Sequence, residues 1–101
     1  MEVNITTRDS ETIVALIGRL DTPASLEFAP TLEELQTRAD GTIILDCKDL
    51  TYISSSGLRI FLTLRKAAIA KGGKVIVKSI CQDIRNVFMM TGFLNLFTIE
   101  D

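Results

Sequence analysis

Histidine and tryptophan are both missing from this chain of 101 residues, and tyrosine occurs once, at Tyr52. Without histidine the usual general base for a serine or cysteine nucleophile is gone, and no lysine stands at a spacing that would replace it. The residues argue against a hydrolase triad, and no enzymatic activity is expected. Only two cysteines occur, Cys47 and Cys81. They form no C-x-x-C pair, and with no histidine they cannot assemble a four-ligand zinc site. They read as small core residues of a protein kept in a reducing compartment. Apolar runs such as Thr12 to Ile17 fall far short of the roughly 20 residues a helix needs to cross a bilayer. Met1 to Thr7 lacks the basic-then-apolar plan of a signal peptide, so a cytoplasmic location without membrane insertion is expected. Neither glycine-rich phosphate loop, G-x-x-x-x-G-K-[ST] or G-x-G-x-x-G, is present, and Gly72-Gly73-Lys74 stands at the end of a helical pattern, not before one. No nucleotide or other cofactor is expected.

What is present is ordinary globular composition. Hydrophobic residues make up 47% and charged residues 24%, which is enough apolar material for one core and one domain spanning 1–101. The net charge of −2 gives no support to a nucleic-acid partner. Its distribution is uneven: from Leu50 to Gln82 no acidic residue occurs, while Arg59, Arg65, Lys66, Lys71, Lys74 and Lys78 all fall there. This stretch offers basic residues to an acidic partner, although a solvated helix face with charged strand ends explains the same residues equally well.

Along the chain, Val3 and Ile5 alternate with polar residues and Ile13 to Ile17 is apolar, with Arg8-Asp9-Ser10-Glu11 between them as turn chemistry. An opening β-hairpin is expected. Thr22-Pro23 supplies a helix cap followed by proline at the first helical position. Leu26, Phe28, Leu32, Leu35 and Ala39 share an inward side. Pro30 interrupts the ladder and Thr31-x-x-Glu34 resembles a fresh capping box, so a kink or two pieces are expected. Thr42 to Cys47 reads as a buried, central strand, because its apolar residues are continuous instead of alternating. A helix follows from about Ser56 to Lys71, ended by Gly72-Gly73, then a strand at Lys74 to Lys78. A helix at Asp83 to Thr91 and a short strand near Phe97 to Ile99 complete the order ββαβαβαβ. Strands separated by helices are most simply parallel with right-handed crossovers. The expected fold is α/β, a mixed, mostly parallel sheet with an antiparallel N-terminal strand and packed helices.

Two features stand out as candidate chemistry. Asp46 and Asp49 flank Cys47-Lys48 at a strand end, but two carboxylates without further oxygen ligands fall short of a metal cage, and aspartate at a strand end usually shapes a turn. No metal role is assigned to them. The row Ser54-Ser55-Ser56 before Gly57 is different, because three hydroxyls meet the start of a helix whose first N–H groups lack internal partners. One serine, best taken as Ser56, serves as the N-cap. The others lie where a loop after the carboxyl end of a parallel strand is exposed and functional. A phosphate there sits at the positive end of the helix and adds nearly two negative charges without disturbing the fold. In the helix that follows, Leu58, Phe61, Leu62, Ala68 and Ile69 fill one side, with Ile60 and Leu64 broadening the apolar surface. Arg59 and Arg65 are better placed to meet a partner.

The run Asp49-Leu50-Thr51-Tyr52-Ile53-Ser54-Ser55-Ser56-Gly57-Leu58 resembles the anti-sigma-factor antagonist (STAS) family. So do Gly18-Arg19-Leu20-Asp21 before the first helix, Gly72-Gly73-Lys74 before a strand and the late Met90-Thr91-Gly92-Phe93, so that the resemblance covers essentially the whole chain. It implies a single STAS-like domain and a non-enzymatic bacterial switch. The unmodified protein would bind an anti-sigma factor that is also a serine kinase, freeing the sigma factor; phosphorylation would reverse this and a serine phosphatase would restore it. In the family the modified hydroxyl lies two residues before the glycine, which places it at Ser55, with Ser54 and Ser56 as secondary candidates. Many regulated members carry aspartate just before the phosphoserine, where this chain has Ser54. Asp21, Ser54, Ser55, Ser56, Gly57, Leu58, Arg59 and Arg65 form the expected partner surface. The second reading is a constitutive accessory subunit of the same fold, bound to a transporter ATPase or a signalling scaffold without phosphorylation.

Overall fold

The computed structural model describes residues 1–101. The expected hairpin is formed by β1 (Glu2–Arg8) and β2 (Glu11–Leu20), antiparallel from Glu2↔Ile17 to Arg8↔Glu11. Asp9 turns the corner at φ 54°, a left-handed conformation that aspartate enters more readily than most residues. β3 (Thr42–Asp46) lies parallel to β2. β4 (Leu50–Ile53) is absent from the strand order expected above: four residues with Thr51 and Tyr52 both exposed carry no alternation to read. It pairs in parallel with the end of β2, across an irregularity between Gly18 and Arg19. β5 (Lys74–Lys78) and β6 (Thr98–Glu100) extend the sheet in parallel, giving the path β1-β2-β3-β5-β6.

The first helical stretch comes in two pieces, α1 (Thr22–Glu27) and α2 (Ala29–Thr37). Pro30 sits in the first turn of α2, where its missing N–H removes no hydrogen bond. Two details of the sequence expectation are corrected here. α2 has already begun before Thr31, so Thr31-x-x-Glu34 is no capping box, and the residue preceding α2, Phe28, makes no side-chain cap. Leu26 does not join the inward side: it is 74% exposed, while Phe28, Leu35 and Ala39 are buried. α3 (Ser55–Lys71) ends at Gly72, whose φ of 80° is the left-handed C-cap expected of glycine. α4 (Gln82–Thr91) ends the same way at Gly92, and a 3-10 turn at Phe93–Asn95 leads into β6.

All four helices lie on one face of the sheet. The parallel strands advance steadily from β2 to β6, and right-handed crossovers in a constant direction deposit every connection on the same side. The core is accordingly one cluster of 22 buried residues joining the helices to Val14, Leu16, Ile43, Leu45, Val75 and Val77. α3 contributes Gly57, Ile60, Phe61, Leu64 and Ala68. Ile60 and Leu64 are thus central to the buried stripe, whereas Ile69 is 62% exposed. Phe61 and Phe88 meet edge to face, their ring centroids 6.1 Å apart. Cys47 is buried, and its thiol is pushed up to about 12, by burial first and then by Asp46 and Cys81. It stays protonated at neutral pH and is no nucleophile. Asp46 shapes the turn after β3, accepting a hydrogen bond from the Lys48 N–H at 3.2 Å. No helix is long and apolar enough to cross a membrane.

Candidate functional site

At the carboxyl end of the sheet, β2 and β4 lie side by side and each runs directly into a helix. The two loops are tied together through one acceptor. The Leu20 carbonyl oxygen receives both the Ser54 N–H, at 2.9 Å, and the Ser54 hydroxyl, at 3.0 Å. Ser54 Oγ in turn accepts the Gly57 N–H at 3.1 Å, which makes Ser54 the N-cap of α3. The expectation that Ser56 caps the helix is therefore corrected. Capping needs an extended backbone at the residue before the first helical turn, and Ser54 has it, at φ −88° and ψ 172°. Ser55 and Ser56 are already helical.

The same correction applies one loop away. Asp21 caps α1, its Oδ1 accepting the Ala24 N–H at 3.0 Å. Thr22 is the first helical residue and not the cap. Ser25 donates its hydroxyl to the Asp21 carbonyl at 2.8 Å. Two helix N-termini thus open at the same end of the sheet, each with first-turn N–H groups that lack intrahelical partners.

Gly57 stands where α3 presses onto the sheet. A Cβ there would lie 2.8 Å from both Ile53 Cγ1 and Leu20 Cγ, so the glycine permits close approach of helix to strands. Gly57 is buried and Leu58 is half-buried against the core. Their part in the expected partner surface is thus structural support for the exposed residues beside them. Arg65 leaves the site altogether: its guanidinium Nε donates to the Leu96 carbonyl at 2.9 Å and anchors the segment before β6. Ten residues beyond Ser55, it lies about 15 Å along the helix.

Ser55 is exposed, Ser56 is half-buried, and Arg59 is exposed one turn further on. Between α1 and α3 runs an open cavity of about 230 Å³, lined among others by Thr22, Ser25, Leu26, Ser56, Arg59 and Thr63. Leu26, Ser25 and Thr63 were not legible as site residues, since helical spacing alone does not separate a groove leucine from a core leucine. Next to the serine row, on strands β2 and β4, the Arg19 guanidinium stacks over the Tyr52 ring, 4.3 Å from its centroid. Paired strands put these two residues side by side, which their separation in sequence conceals. The arrangement has no paired acid and base and no nucleophile beside a base. It has an exposed hydroxyl, that of Ser55, on the N-terminus of a long helix, a flanking arginine and an apolar groove floor, chemistry suited to recognition.

The STAS domain family model matches residues 2–101. The anti-sigma F factor antagonist of Paenibacillus polymyxa is 31% identical over 90 residues, covering 88% of this chain and 77% of that protein. Among solved structures, a protein from Thermotoga maritima superposes with a TM-score of 0.89 at 19% identity, covering 98% of this chain and 86% of the other. The Bacillus cell fate determinant SpoIIAA in its phosphorylated form gives 0.75 at 20% identity, covering 97% and 90%. The fold expected from the residue pattern is the fold of these structures, and the chain belongs to the STAS domain family.

Proposed function

We propose that this protein is an anti-sigma factor antagonist that binds an anti-sigma factor kinase through the surface around Ser55 and is switched off by phosphorylation of Ser55. The observation that carries the reading is the unequal state of three adjacent hydroxyls. Ser54 is engaged on both sides, donating to Leu20 and accepting from Gly57. Ser56 is half-buried in the groove wall, and Ser55 is exposed at the first position of a 17-residue helix. A phosphate on Ser55 meets the positive end of the helix and adds nearly two negative charges to the surface, so the fold is retained while a partner's anionic or apolar groups are repelled.

Ser54 in place of the aspartate common before the phosphoserine leaves the helix start intact, because serine and aspartate are both good N-caps. The relative named above as an antagonist supports the binding role, and the phosphorylated SpoIIAA structure supports a phosphate-carrying form within the same fold. A serine phosphatase completes the cycle by removing the phosphate.

The test is to isolate the chain with its kinase partner from the native cell, supply ATP and locate the phosphate by mass spectrometry. Phosphate on Ser55, none in Ser55→Ala, and tight kinase binding by Ser55→Ala but not Ser55→Asp are the expected results. Equal binding by Ser55→Asp would remove electrostatic exclusion as the mechanism. Recovery of a transporter ATPase and no kinase would replace this reading with the constitutive accessory subunit.

A further inference from the structure

Parallel strands joined by helices are ordinarily covered on both faces, and the unbroken apolar run Ile43-Ile44-Leu45 of β3 has the character of a strand so covered. Here the helices cover one face only. Ile43 and Leu45 point into the core cluster, while Ile44 between them points the other way. Strand register sets Ile13, Ile44 and Ile76 side by side on β2, β3 and β5, with Thr6 and Thr98 at the two ends of the row. The three isoleucines are half-buried. They belong neither to the core cluster nor to the partly buried side chains packed against it. No element of this chain covers them.

Charged residues border the row in a defined order. Toward the amino ends of the strands, Glu11, Thr42 and Lys74 are neighbours. Toward the carboxyl ends, Ala15, Asp46, Lys78 and Glu100 are neighbours.

We propose that this open face docks a second copy of the same chain, sheet against sheet, about a two-fold axis parallel to β3. Aligned sheets pack roughly 10 Å apart with strand directions within about 30°, and the charges choose among the aligned arrangements. An axis parallel to β3 lays β2 of one copy over β5 of the other. Ile13 then faces Ile76, Ile44 faces its own counterpart, and Glu11 faces Lys74, the last pair made twice because the interface is isologous. An axis in the same plane but perpendicular to the strands sets Lys78 over Lys74 and forfeits both Glu11–Lys74 pairs. In the favoured arrangement the two Asp46 carboxylates approach the axis, each beside Lys78 of its own sheet, which offsets their repulsion. The serine row lies at the end of the sheet beneath the helices, so a dimer joined through the opposite face presents two switch sites to two partner molecules at once.

Sedimentation of the full chain from low micromolar to near millimolar concentration tests this without any partner protein. A monomer–dimer equilibrium is expected, weakened about tenfold or more by Glu11→Lys or by Lys74→Glu alone and restored when both reversals are present in one chain. Ile44→Lys is expected to give a monomer, with circular dichroism and urea unfolding establishing that it is folded. If Ile44→Lys fails to fold, the two charge reversals decide alone. A monomer at every concentration, a dimer indifferent to the substitutions, or a double reversal that fails to restore association would overturn the proposal. Phosphorylation of Ser55 is untouched by any of these results, so the two readings fail separately.

Discussion

α1 and α3 start side by side at the carboxyl end of the sheet, each from a capped N-terminus, yet the two differ in length and in what surrounds the exposed hydroxyl at the first helical position. α1 is capped by the carboxylate of Asp21, is six residues long, and has Leu26 one turn after its exposed first residue, Thr22. α3 is capped by the hydroxyl of Ser54, is 17 residues long, and has Arg59 one turn after its exposed first residue, Ser55. Thr22 and Ser55 hold equivalent positions, but Ser55 alone has a long helix behind it and a cation four residues on, the spacing at which helix side chains are neighbours. Position in a helix makes a hydroxyl accessible; its surroundings decide whether a dianion is welcome there.

The comparison is broken most forcefully at Gly57. Gly57→Ala drives a methyl group into Leu20 and Ile53; overpacking outweighs the gain in helix propensity, so a net loss of about 1–2 kcal/mol in urea unfolding is expected. A neutral result would mean that α3 is free to lift from the sheet. Ser54→Ala removes the cap and the hydroxyl bond to Leu20, and about 1–2 kcal/mol should be lost. Asp21→Ala removes the matching cap of the short helix, with about 1 kcal/mol lost in the same assay. Ser55→Ala and Thr22→Ala should each change stability by less than about 0.5 kcal/mol. Phosphate incorporation then separates that last pair, being lost in Ser55→Ala and kept in Thr22→Ala. A Ser55→Ala variant as unstable as Ser54→Ala would show that Ser55 is a structural residue and end its claim as the switch.

Much of this was legible in the residues. Glycine at the end of α3, the hairpin turn, the break near Pro30 and the stretch without acidic residues are local properties, set by backbone sterics and by charge. The serine row announced a helix start for the same reason. What escaped was non-local. β4 is too short to show a period, and it becomes a strand because β2 lies alongside it. Leu26 and Ile69 carry the right spacing for burial and are exposed because no partner element reaches them. Arg65 and Arg59 are alike in sequence. Only the return of the chain at Leu96 engages the first and leaves the second free.

Apart from β4, the order of elements, together with the fold class, the family motif and the presence of a capped, hydroxyl-rich helix start, was determined by the sequence alone, because propensity, turn chemistry and hydrophobic period act over a few residues. The tertiary structure decided which serine caps and which is free, since the choice rests on the Leu20 carbonyl, 34 residues from Ser54. It also decided that one face of the sheet stays open. Handed crossovers advancing in a single direction place every helix on the other face, a consequence of three-dimensional connection that no window of residues contains.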